Sequence, residues 1–191
     1  MIKYDRWFPT VIGYSHYEKH NEIKKIFSDI DLEYKNIGFS KFEVHKDERF
    51  NDLNLWIKEC VKYYVREHQF SNWQNYEAKE SWVIDLEKGK YNDFHAHPGY
   101  TISCVYYAIS NDNDAQTIFK SPTSPDMKNP FNIKVGDAHE NYYTEFTYPQ
   151  CGYKPIQGNL LIFRSYTLHA TELKTTDDRR VIFSYNFDPK C

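Results

Sequence analysis

The stretch Asp93-Phe94-His95-Ala96-His97-Pro98-Gly99 leads directly into an apolar run over residues 100–109 and constrains the fold more than any other part of the chain. In an extended strand, residues two apart point to the same face, so His95 and His97 can present both imidazoles to one point in space. That is a metal-site geometry. Two histidines flanking a turn that Pro98 merely ends would look the same in isolation, because His tolerates half-buried strand ends.

The C-terminal part of the chain separates these readings. Residues 158–164 read as a turn followed by a buried strand, and residues 166–173 as a second strand carrying His169. After a polar turn at 175–178, residues 179–187 form a clear strand with Arg180 at its mouth. A paired His, a distant His and an Arg eleven residues beyond it form an ordered set that unrelated histidines rarely produce. A site is therefore the better reading.

The remaining elements follow from periodicity. Residues 6–14 predict an outer strand beside the main sheet, with Pro9 marking an edge. Ile23, Ile26, Phe27 and Ile30 recur at helical spacing and predict a helix over 18–31. Leu53, Trp56, Ile57, Cys60, Val61 and Tyr64 predict a second over 50–68, with Asn51 or Asp52 as its cap. From residue 76 the period becomes extended: a strand at 81–86, a turn at 87–90 and a strand at 91–97 that delivers the histidines. Residues 102–109 and 115–119 read as a hairpin across the acidic turn 110–114, which lacks the spacing and terminal Glu of a calcium loop. The Pro-, Asn- and Asp-rich stretch 121–141 reads as a long loop over the site mouth, carrying His139, and 142–148 as another strand. Helices followed by many short strands indicate an α+β, mostly β chain: a double-stranded β-helix, or cupin-like jelly roll, with N-terminal supporting helices.

A chain of 191 residues is expected to form a single domain, with the first strand and helices over about 1–75 and the jelly-roll core over about 76–188. A net charge of −3 with dispersed Lys and Arg gives no sign of a nucleic-acid groove or an anionic membrane surface. Cys60, Cys104, Cys151 and Cys191 lie far apart without a CxxC pair, which fits reduced thiols in a cytoplasm. No stretch of membrane length and no signal-peptide core is present, so a soluble cytoplasmic protein is expected.

The segments HAHPGYTISCVYY, GNLLIFRSYTLHATEL and RRVIFSYNF together resemble the 2-oxoglutarate and Fe(II)-dependent oxygenase superfamily, in particular a bacterial and phage branch with an HxHP…SGVYY…H…R-I-S-I-S-F-N pattern. The opening Trp7-Phe8-Pro9-Thr10-Val11 is also similar to that branch, and the likeness is strongest over 88–188. The resemblance implies a jelly roll, Fe(II) and 2-oxoglutarate as cofactors, O₂ as cosubstrate, and hydroxylation of a protein or peptide side chain, prolyl among the options, or of a small molecule. The superfamily commonly uses HxD with a distant His, and this sequence departs from it. Three ligand sets stay open: His95 with His97 and His169; His97 with His169, Gly99 standing where the carboxylate would be; or Asp93 with His95 and His169. The HxH spacing and the strand geometry favour the first. Arg180 holds the position that the resemblance assigns to gripping the oxo acid's distal carboxylate, Arg179 should face away, and Arg164 is a weaker alternative. Ser103, Tyr106, Ser184 and Asn186 could line the pocket. Two other classes of function compete: a cupin-like metal enzyme that uses no oxo acid, and a non-catalytic jelly-roll binding module. Substrate and oligomeric state are not legible.

Overall fold

The computed structural model describes residues 10–31, 33, 41–68, 75–122 and 149–190. The expected strand over 142–148, the loop after Pro122 with His139, and the start of the expected first strand with Pro9 lie outside the described residues.

The strands are β1 (Gly13–His16), β2 (Tyr76–Asp85), β3 (Asn92–His95), β4 (Ile102–Ile109), β5 (Thr117–Lys120), β6 (Gln150–Tyr153), β7 (Asn159–Arg164), β8 (His169–Thr171) and β9 (Val181–Pro189). They form a larger sheet in the order β1-β7-β4-β9-β2 and a smaller one in the order β3-β8-β5-β6. The recorded pairings are antiparallel. Two facing sheets of short antiparallel strands make a double-stranded β-helix of the jelly-roll type. Strand β1 is an edge strand paired with β7, and it overlaps the expected strand over 6–14 only at Gly13 and Tyr14, residues 10–12 forming no strand.

Two helices, α1 (His20–Asp29) and α2 (Asn51–Glu67), cover the outer face of the larger sheet. The predicted stripe of α2 is buried at Leu53, Ile57, Val61, Tyr64 and Val65, because residues three and four apart share one side of a helix. Its start differs from expectation. Neither Asn51 nor Asp52 caps it; a single 3₁₀ turn over Glu48–Phe50 precedes it, and the Asp47 carboxylate accepts from the Arg49 N–H instead. Phe27 of α1 and Phe50 both meet Phe183 of β9 edge-on, at ring-centroid separations of 5.3 and 5.2 Å. No helix among the described residues is long and apolar enough to cross a membrane.

Alternation divides the larger sheet into two chemically distinct faces. Ile102, Cys104, Tyr106 and Ala108 of β4, with Val181, Phe183, Tyr185 and Phe187 of β9, join the helices in one core. Val105 and Tyr107 of β4, Leu161 and Phe163 of β7 and Ile182 of β9 meet Phe119 of the smaller sheet in a second, inner core. The expected hairpin between 102–109 and 115–119 does not form. Strand β4 belongs to the larger sheet and β5 to the smaller, so the connection between them crosses from one layer to the other.

Candidate metal centre

Three histidines converge on the inner side of the smaller sheet. His95 is the last residue of β3 and stands opposite His169, the first residue of β8. His97 lies just beyond the strand, in the turn that Pro98 and Gly99 make, and its backbone N–H donates to the Ser165 carbonyl at 2.8 Å. The expected strand over 91–97 thus ends two residues early, and the HxH pair is held by a strand end and a tethered turn. One ligand nitrogen from each of His95, His97 and His169 lies within 4.8 Å of the others.

Backbone contacts fix the orientation of two rings. His169 Nδ1 lies 2.9 Å from the Thr167 carbonyl and His95 Nδ1 lies 2.7 Å from the Asp93 carbonyl. A carbonyl can only accept, so both Nδ1 atoms carry the proton and both Nε2 atoms keep a lone pair. His97 Nε2 approaches His169 Nε2 to 3.3 Å. Two such nitrogens are stable face to face only with a proton or a cation between them. Burial, reinforced by its histidine neighbours, pushes His169 down to about 4, against an opposing contribution from the Thr167 carbonyl. Burial likewise lowers His97 to about 4, with His95 adding to the shift. Neutral imidazole is the form that ligates metal, and three of them suit a first-row transition ion such as iron.

Asp93 and Gly99 stand differently. The Asp93 carboxylate accepts from the Phe94 N–H, and the residue is exposed rather than part of the cluster. Gly99 has a φ of 96°, and a side chain there would meet nothing within 4 Å, so its role is that of a turn residue with left-handed backbone.

Arg180 is fully buried, immediately before β9. Its Nε donates to the Ala115 carbonyl at 3.1 Å, and its guanidinium carbon lies 5.6 Å from the centre of the Tyr107 ring. Neither Nη1 nor Nη2 has a hydrogen-bond partner among the described residues. Burial pushes its pKa down, opposed by Tyr107 and Asp114, yet a guanidinium stays protonated in proteins. Two buried, charged and unpartnered donors form a fork that matches one carboxylate. The Tyr107 hydroxyl donates to Thr117 Oγ1 at 2.6 Å beside this fork, and Phe119, two residues along β5, is paired with His169. Thr117, on the fork's side, and Phe119, on the histidines' side, are two residues apart on β5, a rise of about 7 Å.

Sequence reasoning correctly separates Arg180 from Arg179, which turns to the outer face and pairs with Asp31 and Asp85. It misplaces Tyr106, which joins the helix-side core against Tyr17 and Phe183. Ser103 and Asn186 do face inward: the Ser103 hydroxyl donates to Asn186 Oδ1 at 2.7 Å, and Ser165 Oγ lies 2.8 Å from it. Tyr107, Thr117 and Ser165 escape the sequence reading. Tyr107 shares the parity of Ser103, and that signal would have found it.

A family model described as "Putative 2OG-Fe(II) oxygenase" matches residues 80–186, more than half of the chain. No curated protein sequence matches significantly. Among solved structures, HygX from Streptomyces hygroscopicus with nickel and 2-oxoglutarate bound superposes with a TM-score of 0.61 at 12% identity, over 95% of this chain and 83% of HygX. A Pseudomonas putida prolyl-4-hydroxylase gives a TM-score of 0.63 at 9% identity, over 95% of this chain and 89% of that one. An oxidoreductase of the 2OG-Fe(II) oxygenase family from Burkholderia pseudomallei gives 0.52 at 11% identity over 75% of this chain, which spans 59% of that protein's length.

Proposed function

The chain belongs to the 2OG-Fe(II) oxygenase family, and on that premise we propose that it hydroxylates a side chain of a protein or peptide, prolyl among the options, with His95, His97 and His169 as iron ligands and Arg180 as the residue that binds 2-oxoglutarate. The observation that carries this reading is the pairing of a three-imidazole cluster with a buried guanidinium, two of whose three nitrogens lack partners among the described residues, in the same interior. Free Cys60, Cys104 and Cys151 suit a reducing cytoplasm as its setting.

When bound, iron and 2-oxoglutarate supply the oxidation: O₂ is consumed, the oxo acid loses CO₂ to become succinate, and one oxygen atom enters a substrate C–H bond. The chain's own residues bind, orient and exclude water. His95 and His169 are locked by their Nδ1 bonds to Asp93 and Thr167, so their Nε2 lone pairs are presented without rotational search. Phe163 and Phe119 pack on the His169 ring, with centroids at 4.6 and 6.0 Å, and keep solvent from it. Arg180, with Nη1 and Nη2 lacking partners among the described residues, would hold the far carboxylate. Trp82, its ring 5.5 Å from His97, and Tyr100, whose N–H donates to the His97 carbonyl, offer aromatic surface against which an extended peptide can lie.

A metal enzyme independent of the oxo acid, or a binding module, leaves the Arg180 fork unexplained. Anaerobic Fe(II) titration with and without 2-oxoglutarate tests the cofactor part: a visible metal-to-ligand charge-transfer band should grow only when both are present. Substrate class is tested by succinate release in the presence of a proline-containing peptide library against a pool of small metabolites. Turnover confined to the metabolites would overturn the peptide reading.

A further inference from the structure

Asp114, in the crossing connection between β4 and β5, and Lys174, between β8 and β9, form a buried charge pair that no ligand role requires. Asp114 and Lys174 have side chains only 0% and 2% exposed, and they meet at 2.6 Å. The carboxylate of Asp114 is spent on both oxygens: Oδ1 accepts the Ala115 N–H at 2.7 Å and Oδ2 accepts Lys174 Nζ. Lys174 Nζ also donates to Thr176 Oγ1 at 2.8 Å, and its backbone is clamped between the Lys90 carbonyl and the Gly89 N–H. The Ala115 residue that Asp114 holds by its N–H is the one whose carbonyl receives Arg180 Nε.

Asp114 is joined to Arg180 through Ala115 and favours its charged form, and a buried carboxylate without a partner would compete for a guanidinium two of whose nitrogens lack a partner among the described residues. The formal charges of Arg180, Lys174 and Asp114 leave one positive charge in excess, which a single incoming carboxylate neutralises.

We propose that the Asp114–Lys174 ion pair is a positioning device for the cosubstrate: Asp114 sets Ala115 and through it Arg180, while Lys174 occupies Asp114 and so keeps the guanidinium fork open to the oxo acid's distal carboxylate. This rests on the reading of Arg180 as the cosubstrate-binding residue. The consequence is an ordering that a purely structural ion pair would not give, because removing both members should harm binding less than removing the lysine alone.

The test is anaerobic calorimetric titration of 2-oxoglutarate into the iron-loaded protein, with thermal melting of each variant alongside. Lys174→Met should weaken binding at least about tenfold, because the released Asp114 carboxylate captures Arg180. The double variant Asp114→Asn/Lys174→Met should return to within about threefold of the wild type. Equal weakening in the single and double variants, or none in either, overturns the proposal. If Lys174→Met does not fold, Asp114→Asn alone decides: it leaves no carboxylate to compete, so binding should stay within about threefold, and a tenfold loss overturns the proposal. Arg180→Met in the same titration separates the two levels. If it binds 2-oxoglutarate like the wild type, the underlying reading of Arg180 fails; if it loses binding while the paired variants disagree with the ordering above, only the role of Asp114 and Lys174 fails.

Discussion

Arg180, a buried guanidinium with two nitrogens unpartnered among the described residues, is an expensive residue to keep, since an unmet charged donor costs more than a neutral one. Arg180→Met should therefore stabilise or leave unchanged the metal-free fold while lowering 2-oxoglutarate affinity by about one and a half to four decades, the equivalent of roughly 2–5 kcal/mol. Iron content measured on the same variant should not change. Arg179→Met behaves oppositely, because Arg179 bridges Asp31 and Asp85: melting temperature should fall while 2-oxoglutarate affinity holds. His169→Gln should abolish iron binding, and iron retained at wild-type affinity would remove His169 from the centre. The same histidines set a pH dependence. His97 and His169 have folded values of about 4, below the ordinary imidazole value of 6.5, so between these values the unfolded chain binds more protons than the folded one. The metal-free protein should be fully stable above about pH 6.5 and lose stability as pH falls towards 4, which denaturant titrations at both ends of that window would register.

Elements were legible where one periodicity ran unbroken. The stripe of α2 can be read directly because it presents one face to one core, and the apolar runs of β4 and β9 because both of their faces are buried. What could not be read was which strands are neighbours. Residues 110–114 look like a hairpin turn, with short polar side chains between two apolar runs, yet they carry the chain between layers. The buried Asp114 among them gave no local sign that its partner would be Lys174, sixty residues on. The expected strand over 91–97 overextends β3 for a related reason: alternation continues through His97, but the ladder ends at His95, ahead of the turn at Pro98 and Gly99. The turn before β7 shows how tightly such junctions are specified. Gly158 has a φ of 86°, its N–H donates to the Tyr107 carbonyl, its carbonyl accepts the Tyr17 N–H, and a Cβ there would stand 2.7 Å from the Cβ of His20. Gly158→Ala should cost more than about 1 kcal/mol, seen as a melting temperature lower by at least about 2–4 °C.

Across the whole molecule, the histidine cluster and the Arg180 fork lie in the interior between the two sheets, and neither layer supplies both. His95 and His169 come from the smaller sheet, and Arg180 adjoins a strand of the larger one. Ligands that engage both ends should consequently stabilise the assembly as a unit. Iron with 2-oxoglutarate at a hundredfold excess over Kd adds about 2.7 kcal/mol, which for a chain of this size raises the melting temperature by about 5–10 °C. A rise with iron alone and no increment from 2-oxoglutarate would detach the fork from the centre. The two faces of the larger sheet bear on substitution. Residues on β4 and β9 that support the helices alternate with those that face the interior between the sheets, so the two sets occupy adjacent positions without sharing one. Ser103, Ser184 and Asn186 can therefore change without disturbing Cys104, Tyr185 and Phe187, whereas the insertion of one residue in either strand would turn every helix-side residue beyond it to the inner face.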